Sequence, residues 1–302
     1  MAISLANIKK ATKVSKKLRC LITGLTGSGK SFGSLLLAKG LTNNGKVLVF
    51  DTENGRASLK VGMPELEGFE YDVIEVASQD VTSEDYIKAI ELAEQNGYDA
   101  VILDSATHEW EYVKDLQQKL GGRYTDWGKA KAGHHKFIKK VISAKVHVII
   151  TARSDIKHEQ QEVNGRKQVV KLGLGTQQNG NFPYEMDFVF DIQDRAHNCV
   201  CDKSEGGLFQ EPLFIITPAT GALLAQYLAD GVDPETETKK KFISRINQLE
   251  SALLGAQAFT PAELKTIEER EPDTFSSMAL DDLKALGLSL GAKIKELGLV
   301  ID

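Results

Sequence analysis

Four short, largely apolar segments in the first half of the chain are each followed at once by polar residues. They lie at 18–23, 46–50, 100–103 and 146–150, and helix-length segments separate them. Apolar runs of this kind are typical of buried strands in a parallel sheet. The pattern therefore predicts an α/β fold with a twisted, mostly parallel sheet flanked by helices. Ligands of such sheets bind at the carboxyl ends of the strands, where all four polar clusters fall.

The pattern changes after Ile216, where amphipathic helices replace the alternation of strands and helices. Residues 235–254 have helical spacing, and Thr260 with Pro261 marks a helix start, while glycines interrupt the helical segments of 271–302. We predict three parts from these changes: a basic N-terminal arm at 1–17, a core domain at 18–230 and a small helical C-terminal region at 231–302.

The composition is that of an ordinary globular chain of 302 residues, with 42% hydrophobic and 26% charged residues. It excludes a disordered chain and a collagen-like repeat. No apolar run is long enough to span a bilayer, and the first 17 residues contain no secretory signal, so no membrane association is expected. Three cysteines cannot build a disulfide framework, which fits a reducing cytosol. We expect a cytoplasmic protein.

Charge is distributed unevenly along a chain whose net charge is −5. Residues 1–19 contain six basic and no acidic residues, and residues 114–145 contain nine basic residues against two acidic ones. Residues 233–302 contain nine basic and thirteen acidic residues. Such asymmetry allows a basic face on an acidic protein, and it also fits ordinary solvated helix surfaces.

The segment 24–31 matches the Walker A motif G-x-x-x-x-G-K-[ST] at every fixed position. A strand-like run precedes it and a helix-like run follows it, as a phosphate-binding loop requires. Lys30 is expected to bridge the β- and γ-phosphates, and the Ser31 hydroxyl to bind Mg²⁺. The predicted nucleotide-binding residues are Gly24, Leu25, Thr26, Gly27, Ser28, Gly29, Lys30, Ser31 and Phe32.

Two acidic residues follow later strands and complete a predicted hydrolytic site. Asp104 ends a run of four apolar residues and resembles a Walker B aspartate, which would hold Mg²⁺ directly or through water. Ser105 rather than glutamate comes next, so the carboxylate that activates water must come from elsewhere. Glu53, at the end of the strand after the P-loop helix, is the predicted catalytic residue, with an exposed loop-end glutamate as the alternative.

These features resemble the RecA-core ATPases over about residues 15–230. In that family a strand ending in an acidic pair follows the Walker A helix, as residues 47–53 do here, and a small residue follows the Walker B aspartate, as in Asp104-Ser105. The resemblance implies a RecA-like P-loop NTPase fold that uses ATP rather than GTP. It also implies that the glutamate of the acidic pair, Glu53, activates water.

Further residues are carried over from the same resemblance. Thr151, at the start of Thr151-Ala152-Arg153, takes the place of the γ-phosphate sensor that leads into a DNA-contacting loop. Arg195 and Lys203 lie where basic residues of the family act on a neighbouring subunit, so a ring or filament is expected. The segment 124–129 resembles the phage-encoded branch, the phage nucleotide-binding proteins, which implies a role in single-strand annealing or recombination in the host cytoplasm.

The segment 154–183 is long and glycine-containing, and it mixes cations with amides. Long loops of this kind are usually functional or disordered, and Asn164-Gly165 predicts a hairpin turn within it. It is a candidate DNA contact, with a lid over the nucleotide as the alternative. A basic helix at 128–146 follows Tyr124 and Trp127, which would either stack on bases or pack in the core. The candidate DNA-contacting residues are Arg153, Lys157, Arg166, Lys167 and Lys171.

The sequence therefore predicts a Mg²⁺-dependent ATPase with a RecA-like core that acts on single-stranded DNA in phage recombination, annealing or replication, with DNA-stimulated hydrolysis. Two alternatives stay open. One is a P-loop kinase of a small molecule, and the other is a nucleotide-dependent switch or scaffold that does not bind DNA.

Overall fold

The computed structural model describes residues 10–163, 166–232, 234–271 and 274–299, and the side chains of these ranges apart from 155–175 and 234–235. Two compact units contain these residues. One unit comprises residues 17–229, and the other comprises residues 10–16 together with the described part of 230–302.

The first unit alternates strands and helices. Its strands are β1 (Arg19–Gly24), β2 (Val47–Asp51), β3 (Asp72–Glu75), β4 (Ala100–Asp104), β5 (His147–Val163), β6 (Arg166–Thr176), β7 (Phe188–Ile192) and β8 (Cys199–Lys203). Its helices are α1 (Lys30–Thr42), α2 (Ser83–Gln95), α3 (Thr107–Lys119), α4 (Trp127–Ser143) and α5 (Pro218–Ala229). Short 3-10 turns lie at Ser58–Lys60, Pro64–Leu66, Tyr124–Asp126 and Phe182–Glu185.

The strands form one sheet in the order β3-β2-β4-β5-β1-β7-β8, and β6 pairs with the outer part of β5. All neighbours from β3 to β7 are parallel, and only β8 and β6 run antiparallel to their partners. The registers Gly24↔Arg153 and Leu103↔Ile150 bring the carboxyl ends of β1, β4 and β5 to one edge. This confirms the predicted α/β fold class, a twisted, mostly parallel sheet flanked by helices.

Helices cover both faces of the sheet because its central strands are apolar on both sides. α1 and α5 pack on one face, and α2 and α4 pack on the other. α1 and α5 approach closely at a pair of glycines. A Cβ on Gly40 would lie 1.7 Å from the carbonyl oxygen of Pro218, and one on Gly221 would lie 2.2 Å from that of Leu37. Glycine at both positions therefore permits backbone contact between these helices.

The segment predicted as a long loop is mostly a two-stranded hairpin. β5 continues past the sheet edge, and its extension pairs with β6 from Ser154↔Thr176 to Val163↔Arg166. This is longer than the hairpin predicted around Asn164-Gly165, a turn that lies outside the described residues. The outer parts of both strands were not predicted, because the first half of the segment, at 154–162, is mostly polar. β3 and β7 were also not predicted.

The second unit is helical, as the sequence predicts for the end of the chain. Its helices are α6 (Pro234–Gly255), α7 (Pro261–Glu268), α8 (Thr274–Ser277) and α9 (Leu280–Glu296). Thr260 caps α7 and accepts the N–H of Glu263, with Pro261 as the first helical residue. Residues 10–16 join this unit through a bridge between Val14 and Val232.

Among the described residues, no helix combines the length and the apolar character that crossing a membrane would need.

Candidate nucleotide-binding site

The P-loop joins the end of β1 to the start of α1. Gly24, Gly27 and Gly29 adopt φ angles of 152°, 81° and 97°, which other residues rarely adopt. A Cβ on Gly24 would also lie 2.7 Å from the carbonyl oxygen of Ile192. The loop therefore needs glycine, and its N–H groups together with the N-terminus of α1 form a cradle for an anion.

Lys30, the first residue of α1, lies folded over this loop. Its Nζ donates to the carbonyl oxygens of Gly24 at 3.0 Å and Leu25 at 2.9 Å. Burial lowers the pKa of Lys30. The Oγ of Ser28, in the same loop, is buried and has no hydrogen-bond partner among the described residues. A buried ammonium held by carbonyls beside an unpaired hydroxyl fits a phosphate chain, which would offer both groups charged acceptors.

Asp104, at the end of β4, is buried and contacts two hydroxyl groups. The Oγ1 of Thr151 donates to its Oδ1 at 2.5 Å, and the Ser31 hydroxyl lies near enough to lower the pKa of this carboxyl. Burial raises the pKa of Asp104, and the two hydroxyl groups oppose that rise. Mg²⁺ prefers oxygen ligands, and a P-loop hydroxyl with a strand-end aspartate is the set that holds it beside phosphates. Ser31 and Asp104 therefore fit the predicted Mg²⁺ site.

Asp51 shapes the segment that follows β2. Its Oδ1 accepts the N–H of Glu53 at 2.6 Å, and its Oδ2 accepts the N–H of Ala57 at 2.8 Å. Because both oxygens bind the backbone of its own loop, Asp51 positions the neighbouring side chain. That side chain, Glu53, points into the cavity above the P-loop.

Glu53 forms a two-oxygen ion pair with Arg153. The Nη2 of Arg153 lies 2.8 Å from Oε1 and 2.9 Å from Oε2 of Glu53, and its Nε lies 3.1 Å from Oε1. Arg56 adds a longer contact of 3.7 Å. The side chain of Glu53 is 10% exposed and that of Arg153 is 32% exposed. The structure thus places Arg153, a candidate DNA contact, beside the predicted catalytic carboxylate.

His108, in the first turn of α3, contacts the same Nη2 atom of Arg153 that contacts Glu53. The Nη2 of Arg153 lies 3.1 Å from Nε2 of His108, whose Nδ1 lies 2.7 Å from the Oγ1 of Thr52. An arginine can only donate, so Nε2 accepts and Nδ1 carries the proton that it donates to Thr52. Burial lowers the pKa of His108 and favours this neutral form. Sequence reasoning missed His108, whose only signal is its place four residues after Asp104.

These groups surround one cavity of about 190 Å³ at the carboxyl edge of the sheet. Its lining includes six of the nine predicted nucleotide-binding residues, both residues of the predicted Mg²⁺ site, and Glu53. Predicted Thr151 does not line it and contacts it only through Asp104. The cavity adds Arg56 and Lys60, which the sequence analysis did not identify. Burial lowers the pKa of Lys60. The lining residues are Thr26, Gly27, Gly29, Lys30, Ser31, Phe32, Glu53, Arg56, Lys60, Asp104 and Arg153.

A family model described as an AAA domain (AAA_24) matches residues 16–211, which is more than half of the chain. The chain belongs to this family. Its AAA domain contains the sheet, the P-loop and the cavity described above.

No curated protein matches the chain. Solved structures that are similar to it comprise 111 chains, among them the following two. One is the RadB recombinase, with 16% identity and a TM-score of 0.38 over 69% of this chain and 90% of the other. The second is an ATPase from the type III secretion system of pathogenic bacteria, with 13% identity and a TM-score of 0.37 over 92% of this chain and 80% of the other. Both similarities are low, so neither protein's activity is carried over to this AAA domain.

Arg195 and Lys203 do not line this cavity of the AAA domain. Arg195 is exposed in the turn between β7 and β8, and the Nζ of Lys203 donates to the carbonyl oxygen of Tyr184 at 2.7 Å. The same turn supplies His197, which sequence reasoning missed. Its Nδ1 lies 2.7 Å from the carbonyl oxygen of Ser28 and therefore donates to the P-loop. The side chains of Lys157, Arg166, Lys167 and Lys171 lie outside the described residues.

Proposed function

We propose that this chain is a Mg²⁺-dependent ATPase that acts on single-stranded DNA in phage recombination, annealing or replication. One observation carries the ATPase part of this proposal: Lys30, Glu53 and Asp104 line a single cavity above a complete Walker A loop. This is the set of a phosphate-binding cation, a metal-binding carboxylate and a second carboxylate that nucleotide hydrolysis needs. The DNA part rests on the resemblance to the phage-encoded branch and on the basic residues of the hairpin.

Binding of the triphosphate begins at the P-loop. The ammonium of Lys30 exchanges the carbonyls of Gly24 and Leu25 for phosphate oxygens, which are stronger acceptors because they are charged. Ser31 and Asp104 would hold Mg²⁺. The bound ion supplies positive charge that neutralises the phosphate oxygens during transfer.

Glu53 acts next, as the base that orients water and accepts its proton. While both carboxylate oxygens accept N–H groups from Arg153, Glu53 is poorly placed to do so. A γ-phosphate in the same cavity offers Arg153 a competing anion, and the freed carboxylate can then take the proton. The water oxygen forms its bond to phosphorus as the bond to the ADP oxygen breaks.

The same strand connects this event to the hairpin. β5 contains both Thr151, bonded to Asp104, and Arg153, and it continues into the extension that pairs with β6. A shift of Arg153 toward phosphate therefore changes the base of the hairpin, which we propose as a DNA-contacting element through Lys157, Arg166, Lys167 and Lys171. We assign Arg153 to the nucleotide, and we keep Arg195 and Lys203 as residues that act on a neighbouring subunit of a ring or filament.

Phosphate release from ATP, measured with and without single-stranded DNA, tests the proposal. Lys30→Ala should abolish nucleotide binding and turnover. Glu53→Gln should keep nucleotide binding and lower turnover by about 10²- to 10⁴-fold, the usual contribution of a general base. The matched control is Glu70→Gln, at an exposed glutamate outside the cavity, which should keep full activity.

Three outcomes would count against parts of the proposal. Wild-type turnover in Glu53→Gln would remove Glu53 as the base. Turnover that DNA does not change would remove the DNA-stimulated role and leave the ATPase. Transfer of the γ-phosphate to a small acceptor, without release to water, would identify a kinase.

A further inference from the structure

The two tryptophans of the chain lie together on the surface of α3 and α4. The rings of Trp110 and Trp127 are stacked, with centroids 5.8 Å apart and planes 16° apart. The Nζ of Lys131 lies 5.5 Å from the ring centroid of Trp110 and 5.1 Å from that of Trp127. Both indoles are only half-buried, so this is a surface platform whose cation is already in place.

Tyr124 extends this platform into solvent. It lies in the 3-10 turn before α4 and is 91% exposed, although a tyrosine ring is large and mostly apolar. Together with Trp127, Lys131 and His135 it lines an open cavity of about 440 Å³. A ring left this exposed at the rim of a cavity contributes nothing to the core, and its apolar face is available to a ligand.

The charge around the platform is positive. Lys129, Lys136 and Lys139 are exposed on α4, and within the described part of the chain none of them forms an ion pair. In contrast, Lys140 on the same helix is paired with Glu94 at 2.7 Å. α4 contains no acidic residue. Of these three, Lys139 lies on the platform side of α4, because it lines a cavity that shares His135 with the platform.

A second cavity, of about 340 Å³, follows the first along α4 and shares His135 with it. Ile138 and Lys139 of α4 and the amides of Asn179 and Asn181 line it. The 17 residues of α4 span about 25 Å at 1.5 Å per residue. The two cavities thus place aromatic rings, cations and amides along the length of α4. This length fits several consecutive units of a linear polymer.

The chemistry of this surface selects its ligand. Lys131 already covers both indoles and repels a cationic ligand, so a methylated lysine or a choline group does not fit. A ligand that offers an anion to Lys131 and a flat ring to Tyr124 is a nucleotide unit. Continuation of the cations along α4 favours a polymer, and stacking on a protein ring needs bases that are not paired.

We propose that Tyr124, Trp127 and Lys131 form a base-stacking site for single-stranded DNA on the α3–α4 surface. It shares no lining residue with the nucleotide cavity. The inference rests on the single-stranded DNA part of the proposed function and adds a specific surface to it.

Intrinsic tryptophan fluorescence tests this site directly because both tryptophans belong to it. Titration with a thymidine oligonucleotide of about 16 nucleotides should quench the fluorescence of the full-length wild-type protein to saturation. Tyr124→Ala should weaken binding by about 5- to 150-fold, the equivalent of one stacked base, whereas Tyr124→Phe should keep the ring and the affinity. Because Tyr124 is so exposed, ATP binding and the far-UV circular dichroism should not change.

A salt series isolates the contribution of Lys131. Lys131→Gln should lower the slope of the logarithm of affinity against the logarithm of salt concentration by about one. Lys88→Gln, at a 61% exposed lysine on α2, is the control and should leave the slope unchanged.

The outcomes separate this inference from the proposed function. If a labelled oligonucleotide binds Tyr124→Ala as tightly as wild type by fluorescence anisotropy, the stacking site is refuted and DNA binding elsewhere stands. If free thymidine monophosphate quenches at the same concentration as the oligonucleotide, a polymer site is refuted. If wild type binds no oligonucleotide, both the site and the DNA-binding function fail, while ATP hydrolysis is measured independently.

Discussion

The ion pair between Glu53 and Arg153 should stabilise the nucleotide-free protein measurably. The perturbation is a double-mutant cycle of Glu53→Gln, Arg153→Gln and the double variant. Three N–H···O contacts join the two side chains at 2.8–3.1 Å, in the two-oxygen geometry that makes arginine–carboxylate pairs strong. Glutamine matches glutamate in size, and at position 153 it keeps a polar but shorter side chain. The cycle subtracts the cost of each single change, so it isolates the interaction between the two side chains.

The expected coupling free energy is about 1–2 kcal/mol, between two reference cases. Exposed ion pairs contribute about 0.2–1 kcal/mol, and Glu53, at 10% exposure, is better shielded than that. Breaking a fully buried pair costs about 3–5 kcal/mol, but a third of Arg153 faces solvent, which screens the charge.

Urea unfolding of the four proteins, with equal m-values, gives this coupling. The control cycle is Lys88 with Asp85, a 4.0 Å surface pair in the same unit, where about 0.3–0.5 kcal/mol is expected. A Glu53–Arg153 coupling free energy no larger than that of this control would refute the expected contribution of the ion pair. With Mg²⁺ and a non-hydrolysable ATP analogue at saturation the coupling should fall, and an unchanged value would refute the release of Glu53 by phosphate.

Two further predictions concern the core of the same unit. Gly40→Ala should destabilise it by about 1–3 kcal/mol in urea unfolding, since the new methyl group would collide with Pro218. The control is Gly128→Ala, which has open space around it and should be neutral or stabilising by up to about 1 kcal/mol. Equal changes in the free energy of unfolding would contradict the close α1–α5 contact. Burial lowers the pKa of His147 from 6.5 to about 3, so this side chain stays neutral in the folded protein. In the unfolded chain the same histidine takes up a proton below pH 6.5. The free energy of unfolding should therefore fall as the pH drops below 6.5, by at most about 1.4 kcal/mol per pH unit. His147→Asn, which keeps an acceptor for the N–H of Leu18, should lose less unfolding free energy between pH 7 and 5. Equal losses in the variant and the wild type would contradict a neutral, buried His147.

The site was predictable where function constrains neighbouring residues along the chain. A phosphate loop is continuous, since one turn must supply glycines, N–H groups and Lys30 together, and its motif is therefore readable. The role of Asp104 was predictable for a related reason, because a buried apolar strand that ends at a carboxylate is a local sequence pattern. Parallel strands bring such ends to one edge, so the sequence also predicted that these groups meet.

Contacts between distant segments were not predictable in this way. Glu53 and Arg153 are 100 residues apart, and nothing in either neighbourhood indicates that the carboxylate is held by the guanidinium. The pair exists because β5 lies beside β4 in the sheet and delivers Arg153 to the level of Gly24. His108 joined the site only because the first turn of α3 packs against the same strand end.

The sequence by itself determined the fold class, the P-loop, the strand-end carboxylates and the helical end of the chain, because apolar periodicity and a continuous motif are local properties. The tertiary structure alone decided which partners those groups have. It placed Arg153 on Glu53, extended β5 into a polar hairpin and stacked Trp110 on Trp127 across two helices. Strand order and helix packing set these distances, and they are collective properties of the whole sheet that no short segment encodes.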